Sequence, residues 1–380
     1  MEIKQEIPLS VPNLRGREKE YIVNAIDQEW VSIGGPYIEE FERSLGSYVG
    51  APYAVACQSG TAGLHLSLIA RGIGSGHEVI VPALTFIASV NPVRYVGAEP
   101  VFMDCDDTLC MDMGKLCRFC REECNFVDGK LYNKQSGRHI AAVIVAHIFG
   151  NLADMDALMD IAGQYNLYVI EDAAEALGSL YLSGRYAGRH AGTIGDIGIC
   201  SFNGNKIVTT GGGGMVISTD EMSIRRIKHL STQAKSDPIY FFHDEMGYNY
   251  RMTNLQAAVG LGQLEQLETF IEHKKGNYFL YKELGLDLLP FREDIRPNYW
   301  FYSYLTTRRD ELITFLSHNE VQSRPIWHLI NRLPFYSQCQ NYRIEKAAYY
   351  WERIVNIPCS SNLTVQQVRR VAELIKQFDT

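Results

Sequence analysis

The chain has 380 residues, 46% of them hydrophobic and 21% charged, with a formal net charge of -8. That length can bury one large core and a smaller second one, so two lobes are expected. The acidic balance, without a Lys/Arg run, argues against a nucleic-acid-binding surface. The opening MEIKQEIPLSVPNLRGREKE is charged and broken by proline, without the apolar core of a secretory signal. No later stretch reaches the roughly 20 apolar residues of a membrane span. A cytoplasmic location is expected, and the nine cysteines, an odd number, are expected as reduced thiols.

From Tyr53 to Asp220 short apolar runs alternate with helical patterns. YAVAC (53–57) precedes the helix-like TAGLHLSLIARG, HEVIVPA (77–83) precedes FIASVNPVRYVG, and PVFMD (100–104) follows. AAVIVAHIF (141–149) precedes DMDALMDIAGQYN, and LYVIED (167–172), IGICSF (197–202) and GMVIS (214–218) complete the set. Such runs between helices predict an α/β fold with a largely parallel sheet covered on both faces, whose ligands bind beyond the carboxyl ends of the strands. NFVDGKLYNKQSGRHI (125–140), with Asp128-Gly129 and Ser136-Gly137, predicts a peripheral hairpin leaving the sheet. Residues 253–285 keep a helical period and are expected to form one long connecting helix. It would join a large domain at 1–252, with an N-terminal arm, to a small α+β domain at 286–380.

The chemistry-bearing residues fall just after these runs. Asp172 closes YVIED, where a carboxylate is either functional or the cap of the following AAEAL turn. Lys206 follows another run, in SFNGNKIVTTGGGGM, and would face the same crevice. It precedes the glycines, which excludes a P-loop. In CQSGTAGL (57–64) a strand ends in Ser-Gly-Thr and a helix begins, so free N–H groups, hydroxyls and glycine make a phosphate cup or an ordinary capped start. Phe86, past the next run, is a stacking surface or a core residue. A phosphate cup, an aromatic shelf, a carboxylate for a pyridinium nitrogen and a lysine for an aldehyde are together the requirements of pyridoxal phosphate.

The blocks EWVSIGG, QSGTAGLHL, VPALTFIASVNPV, PVFMD, HIFGNLADM, IEDAAEALGS, SFNGNKIVTTGGGGM and GYNYRMTNLQAA resemble, in order, the DegT/DnrJ/EryC1/StrS aminotransferases. This resemblance implies a pyridoxal phosphate enzyme of fold type I, with a mostly parallel seven-stranded sheet and a smaller α+β C-terminal domain. It makes Lys206 the lysine that holds the cofactor aldehyde, Asp172 the partner of the ring nitrogen, and Phe86 the stacking residue. Gly60, Thr61 and Ser201 would hold the phosphate, and Asn249 would reach it from the partner subunit of a homodimer. Glu175 stands where the family commonly has Gln near the phenolic oxygen, which a carboxylate repels unless protonated. SFNGNKIVTTGGGGM, with the hairpin before HIFGN, most resembles the subgroup that aminates C4 of UDP-linked 2-acetamido-4-keto-6-deoxy sugars from glutamate. GDP- or dTDP-linked sugars, at C4 or C3, are the alternative, and a cofactor-binding regulator without turnover is the reading from another class.

Arg251 and Arg324 are candidates for a substrate carboxylate or diphosphate, against ordinary ion pairs, and His328 for the sugar, against a bystander role. His147 would line the crevice or bond locally. Cys117, Cys120 and Cys124, with Cys105 and Cys110 nearby, have a ligand-like spacing. They also fit one apolar helix face, and with no second ligand pair neither a metal nor an iron-sulfur site is expected.

Overall fold

The computed structural model describes residues 6–237 and 239–380. Seven strands form the middle of the main sheet: β1 (Tyr53–Cys57), β2 (His77–Pro82), β3 (Glu99–Met103), β4 (His139–Ala146), β5 (Tyr168–Asp172), β6 (Ile197–Ser201) and β7 (Gly214–Ser218). They lie in the order β1-β7-β6-β5-β4-β2-β3. The neighbours from β6 to β3 pair in parallel, and β7 alone runs against the rest. Strands apolar at every position need cover on both faces. Accordingly, Ile80, Val143 and Val145 enter one apolar cluster, while Val79, Val81, Ala142 and Ile144 enter another.

The hairpin Cys124–Val127/Lys130–Asn133 extends this sheet instead of leaving it. Leu131 and Tyr132 pair with Ile140 and His139 at the start of β4, where β5, which pairs only from Ala142 onward, leaves backbone groups open. It therefore lies at the opposite end of β4 from the strand's carboxyl end. Asn341–Tyr342, parallel to β3, brings the sheet to ten strands.

The helix expected over 253–285 is two, Asn254–Leu264 and Leu267–Glu283, broken at Glu265 and Gln266. Ala257, Ala258 and Leu261 of the first helix pack with Phe41 and Phe202; the second helix begins in that core with Leu267 and Ile271 and ends in another, where Tyr278 and Tyr281 pack with the C-terminal Tyr302 and Ile375. A small antiparallel sheet of Tyr302–Leu305, Ile354–Ile357 and Arg324–Pro325 completes the C-terminal region. The N-terminal arm docks there, with Ile7 bridging Val321 and the Leu9 carbonyl accepting from the Cys359 N–H.

Glu171, wholly buried in β5, organises the ground behind the carboxyl ends. It accepts from His147 Nε2 at 2.9 Å and from the N–H groups of Gly192 at 2.9 Å, Ile194 at 2.7 Å and Gly195 at 2.5 Å. His147 Nδ1 accepts from the Ala153 N–H at 3.2 Å, so its proton is on Nε2. The loop thus pinned lies so close to β6 that a Cβ on Gly198 would stand 2.0 Å from the Gly192 carbonyl oxygen. Burial alone would raise the Glu171 carboxyl, but the His147 hydrogen bond and the loop amides outweigh it and hold it below the usual range.

Two outcomes follow for stability. A carboxyl lowered in the folded state contributes fully above its unfolded value, near pH 4.3, and loses that contribution as pH falls through the folded value. Glu171→Gln should therefore cost on the order of 3 kcal/mol at neutral pH and flatten the acid limb of the unfolding curve, read by urea titration between pH 3 and 7. Gly198→Ala should lower the urea midpoint by on the order of 2 kcal/mol, because the methyl has no space under a pinned loop. A wild-type midpoint would show that the loop lifts freely.

Candidate active site

A cavity of about 280 Å³ opens beyond the carboxyl ends of β1, β5 and β6. It gathers Gly60, Thr61, Phe86, Asp172, Glu175, Ser201 and Lys206, as well as His147. On one side, Ser59 caps the helix Gly60–Ala70 from extended backbone, its Oγ accepting from the Ala62 N–H at 3.0 Å. The first N–H groups of a helix have no partner within it, and here the first two residues, Gly60 and Thr61, line the cavity with Ser201.

The glycines after Lys206 supply clearance at this cup. A Cβ on Gly214 would lie 2.4 Å from the Gly60 nitrogen, and one on Gly60 would lie 3.1 Å from Ser201 Cβ. Gly213, at φ +156°, has the Thr210 hydroxyl 2.4 Å from where its Cβ would be. Side chains at these positions would push the β7 backbone off the helix start.

Asp172 lines the cavity and also caps the turn that follows β5. Its Oδ1 accepts from the Ala174 N–H at 3.1 Å, capping the turn, and its Oδ2 accepts from Ser89 Oγ at 2.6 Å. Ser89 Oγ is in turn 2.9 Å from Thr85 Oγ1. An ionised carboxylate only accepts, so Ser89 donates to Asp172 and Thr85 donates to Ser89. Ser89 was not among the sequence candidates, although it stands three residues from Phe86 in one turn.

Lys206 Nζ lies 3.6 Å from Glu175 Oε1 and 4.1 Å from the centre of the Trp300 ring. Trp300 holds this loop in turn, donating from Nε1 to the Asn205 carbonyl at 2.8 Å. It is brought there by Asn298, whose side chain donates to the carbonyls of Glu175 and Leu177, each at 2.9 Å. Glu175 Oε2 accepts from the Phe149 N–H at 3.0 Å, with Phe149 held at φ 58°. Burial pushes the Glu175 carboxyl up, against the pull of Lys206, to about 7. At the mouth, Phe86 is 48% exposed and its ring centre is 6.2 Å from that of Trp327. Neither Trp300 nor Trp327 was among the sequence candidates, because both arrive from the C-terminal region through contacts that no local spacing encodes.

Four candidates lie outside the cavity. Arg251 is buried and committed to Glu42 at 2.8 Å and the Ala56 carbonyl at 3.0 Å, so its guanidinium ties the helix Pro36–Val49 to β1 and does not meet substrate. Arg324 sits exposed on an edge strand paired with Asn356. His328 is exposed, its Nδ1 near the Leu329 carbonyl at 3.0 Å and its ring against Trp351. Asn249 is exposed, and the rings of its chain neighbours Tyr248 and Tyr250 stack on each other. The cysteine cluster is apolar packing: Cys105, Cys110, Cys120 and Cys124 are buried in one core cluster. Cys124 begins a hairpin strand after the helix Met113–Glu122 has ended, so the three thiols do not share a helix face.

Among the described residues no helix is long and apolar enough to cross a membrane. The profile of the DegT/DnrJ/EryC1/StrS aminotransferase family matches residues 12–376. A protein from Escherichia coli named GDP-perosamine synthase is 38% identical, over 98% of each chain. Another of that name from Vibrio cholerae is 35% identical, over 98% of this chain and 99% of its own. The crystal structure of a DegT DnrJ EryC1 StrS aminotransferase from Brucella abortus superposes with a TM-score of 0.86, at 26% identity and 95% coverage of both chains. Fold, sequence and cavity agree: the chain belongs to the DegT/DnrJ/EryC1/StrS family and is a pyridoxal phosphate-dependent nucleotide-sugar aminotransferase of fold type I.

Proposed function

We propose that this enzyme moves an amino group from glutamate to C4 of a GDP-linked 4-keto-6-deoxy sugar. The observation that carries the chemistry is Lys206, among the described residues the one lysine lining the cavity, which it shares with the buried carboxylates of Asp172 and Glu175. The nucleotide rests on the full-length likeness to two proteins named GDP-perosamine synthase. That likeness displaces the UDP-linked substrate expected from the motif around Lys206.

The residues fit the cofactor. Ser59, Gly60, Thr61 and Ser201 offer N–H and O–H donors for its phosphate, Phe86 a flat face, and Asp172 a carboxylate for the ring nitrogen. When bound, pyridoxal phosphate supplies an aldehyde and an electron-withdrawing ring. Lys206 would hold the aldehyde, and its Nζ is the atom that takes and returns the Cα proton of the amino donor. Ser89 and the Ala174 N–H keep Asp172 aimed by occupying both oxygens. Trp300 and Trp327 line the cavity with apolar ring faces that would limit water around the proton transfers.

The working unit is a dimer in which Asn249 reaches the phosphate of the other subunit's cofactor. Asn249 is exposed, and the segment before it shows Ile239, Tyr240, Phe241, Phe242 and Met246 at 61–83% exposure, an apolar stretch suited to a subunit interface. Sedimentation at assay concentration should give a dimer; a monomer would contradict this arrangement.

Incubation with glutamate and GDP-, UDP- and dTDP-linked 4-keto-6-deoxy sugars, scored by product mass, should favour the GDP sugar by about tenfold or more in kcat/KM. Preference for a UDP sugar would overturn the nucleotide assignment. Ser89→Ala should remove a hydrogen bond to a charged group, worth about 1.5–3 kcal/mol. A tenfold to hundredfold loss of kcat is then expected, with the thermal midpoint lowered by a few degrees. Full activity would show that Asp172 needs no such support.

A further inference from the structure

We propose that Glu175 is the proton partner of Lys206: its carboxylate takes the proton that Lys206 must shed before the amine can act, and gives it back when the amine is charged again. This rests on the function proposed for Lys206. The transfer breaks one N–H bond on Nζ and forms one O–H bond on Oε1, turning an ammonium and a carboxylate into an amine and a carboxylic acid. No other reactant is needed and the cavity's total charge does not change.

The geometry singles out Glu175. Its two oxygens are differentiated: Oε2 is tied to the Phe149 N–H at 3.0 Å, which leaves Oε1 facing Lys206 Nζ at 3.6 Å. The side chain is more than nine-tenths buried. The other carboxylate in the wall, Asp172, has one oxygen on Ser89 and one on the Ala174 N–H. His147, from the segment after β4, is turned to Glu171 and the Ala153 N–H. Among the described residues, Lys206 therefore has one anionic neighbour within ion-pair reach. The groups facing Glu175 are Lys206 from the loop after β6, Asp172 from the end of β5, and the Phe149 amide.

Two physical arguments make this pair a proton couple and not a static ion pair. Were Lys206 to lose its proton to water, an unpaired carboxylate would remain buried, the costliest arrangement the cavity offers. Moving the proton to Glu175 avoids that charge. Second, the Phe149 N–H needs only an acceptor, which an amide oxygen would supply as well, so a carboxyl adds a titratable site that packing does not require. The Glu175 carboxyl, raised by burial to about 7, is matched to such an exchange at neutral pH.

The test is the pH titration of the cofactor's visible absorbance band in the holoenzyme, from about pH 5.5 to 9, for wild type and Glu175→Gln. Wild type should show a transition near pH 7, which Glu175→Gln loses or displaces by about one unit or more. Superimposed titrations would overturn the proposal. If Glu175→Gln does not retain cofactor, Glu175→Asp decides in the same way: a displaced midpoint supports the couple and a superimposed one overturns it. A wild-type protein with no visible band would strike at the functional reading of Lys206, whereas a band indifferent to residue 175 removes only its proton partner.

Discussion

Charge kept out of water, and answered on every side, is the constraint on which this structure turns. Lys206, Asp172 and Glu175 share one cavity, and each is held by a specific neighbour: a carboxylate and an indole face for Lys206, a hydroxyl and an amide for Asp172, an amide and the lysine for Glu175. Behind them, Glu171 is answered by His147 and three loop amides. Removing one member leaves its partner buried and bare, which costs far more than the contact itself. The fold's task is to bring these answering groups from distant parts of the chain to the ends of three strands.

Clearance is the second requirement. The helix start at Gly60 and the strand start at Gly214 meet backbone to backbone, and the loop at Gly192 lies on Gly198 in the same manner. At the first contact the helix-start N–H groups sit on one side and the lysine loop on the other, and at the second the loop held by Glu171 lies on β6. A methyl group there would act on the site by displacing main chain, not by touching the cavity.

What was legible in the sequence follows the same division. Asp172, Lys206 and the Ser59–Thr61 turn could be read because each is set by local chemistry: a polar residue after an apolar run, and a cap before a helix. The sheet was readable because strands apolar at every position have one stable use. The tryptophans were not readable, since Trp300 reaches Lys206 only through Asn298 and the turn at Glu175–Leu177. Arg251 stayed open between two readings for the converse reason: a guanidinium is equally at home on a phosphate and on Glu42, and only the packing of the helix Pro36–Val49 against β1 decides. The helix expected over 253–285 failed because the helical period of the sequence runs on across Glu265 and Gln266, where the backbone breaks. The motif around Lys206 resembles a UDP-sugar subgroup, whereas two relatives that match along the whole chain carry the name GDP-perosamine synthase.

The central claim is that Lys206 is the amine through which the cofactor is held. Borohydride reduction of the holoenzyme, followed by peptide mass mapping, tests it most directly. The cofactor's mass should be fixed on the peptide carrying Lys206 and on no other, with the visible band lost in step. Full cofactor occupancy with Lys206 unmodified would contradict the account.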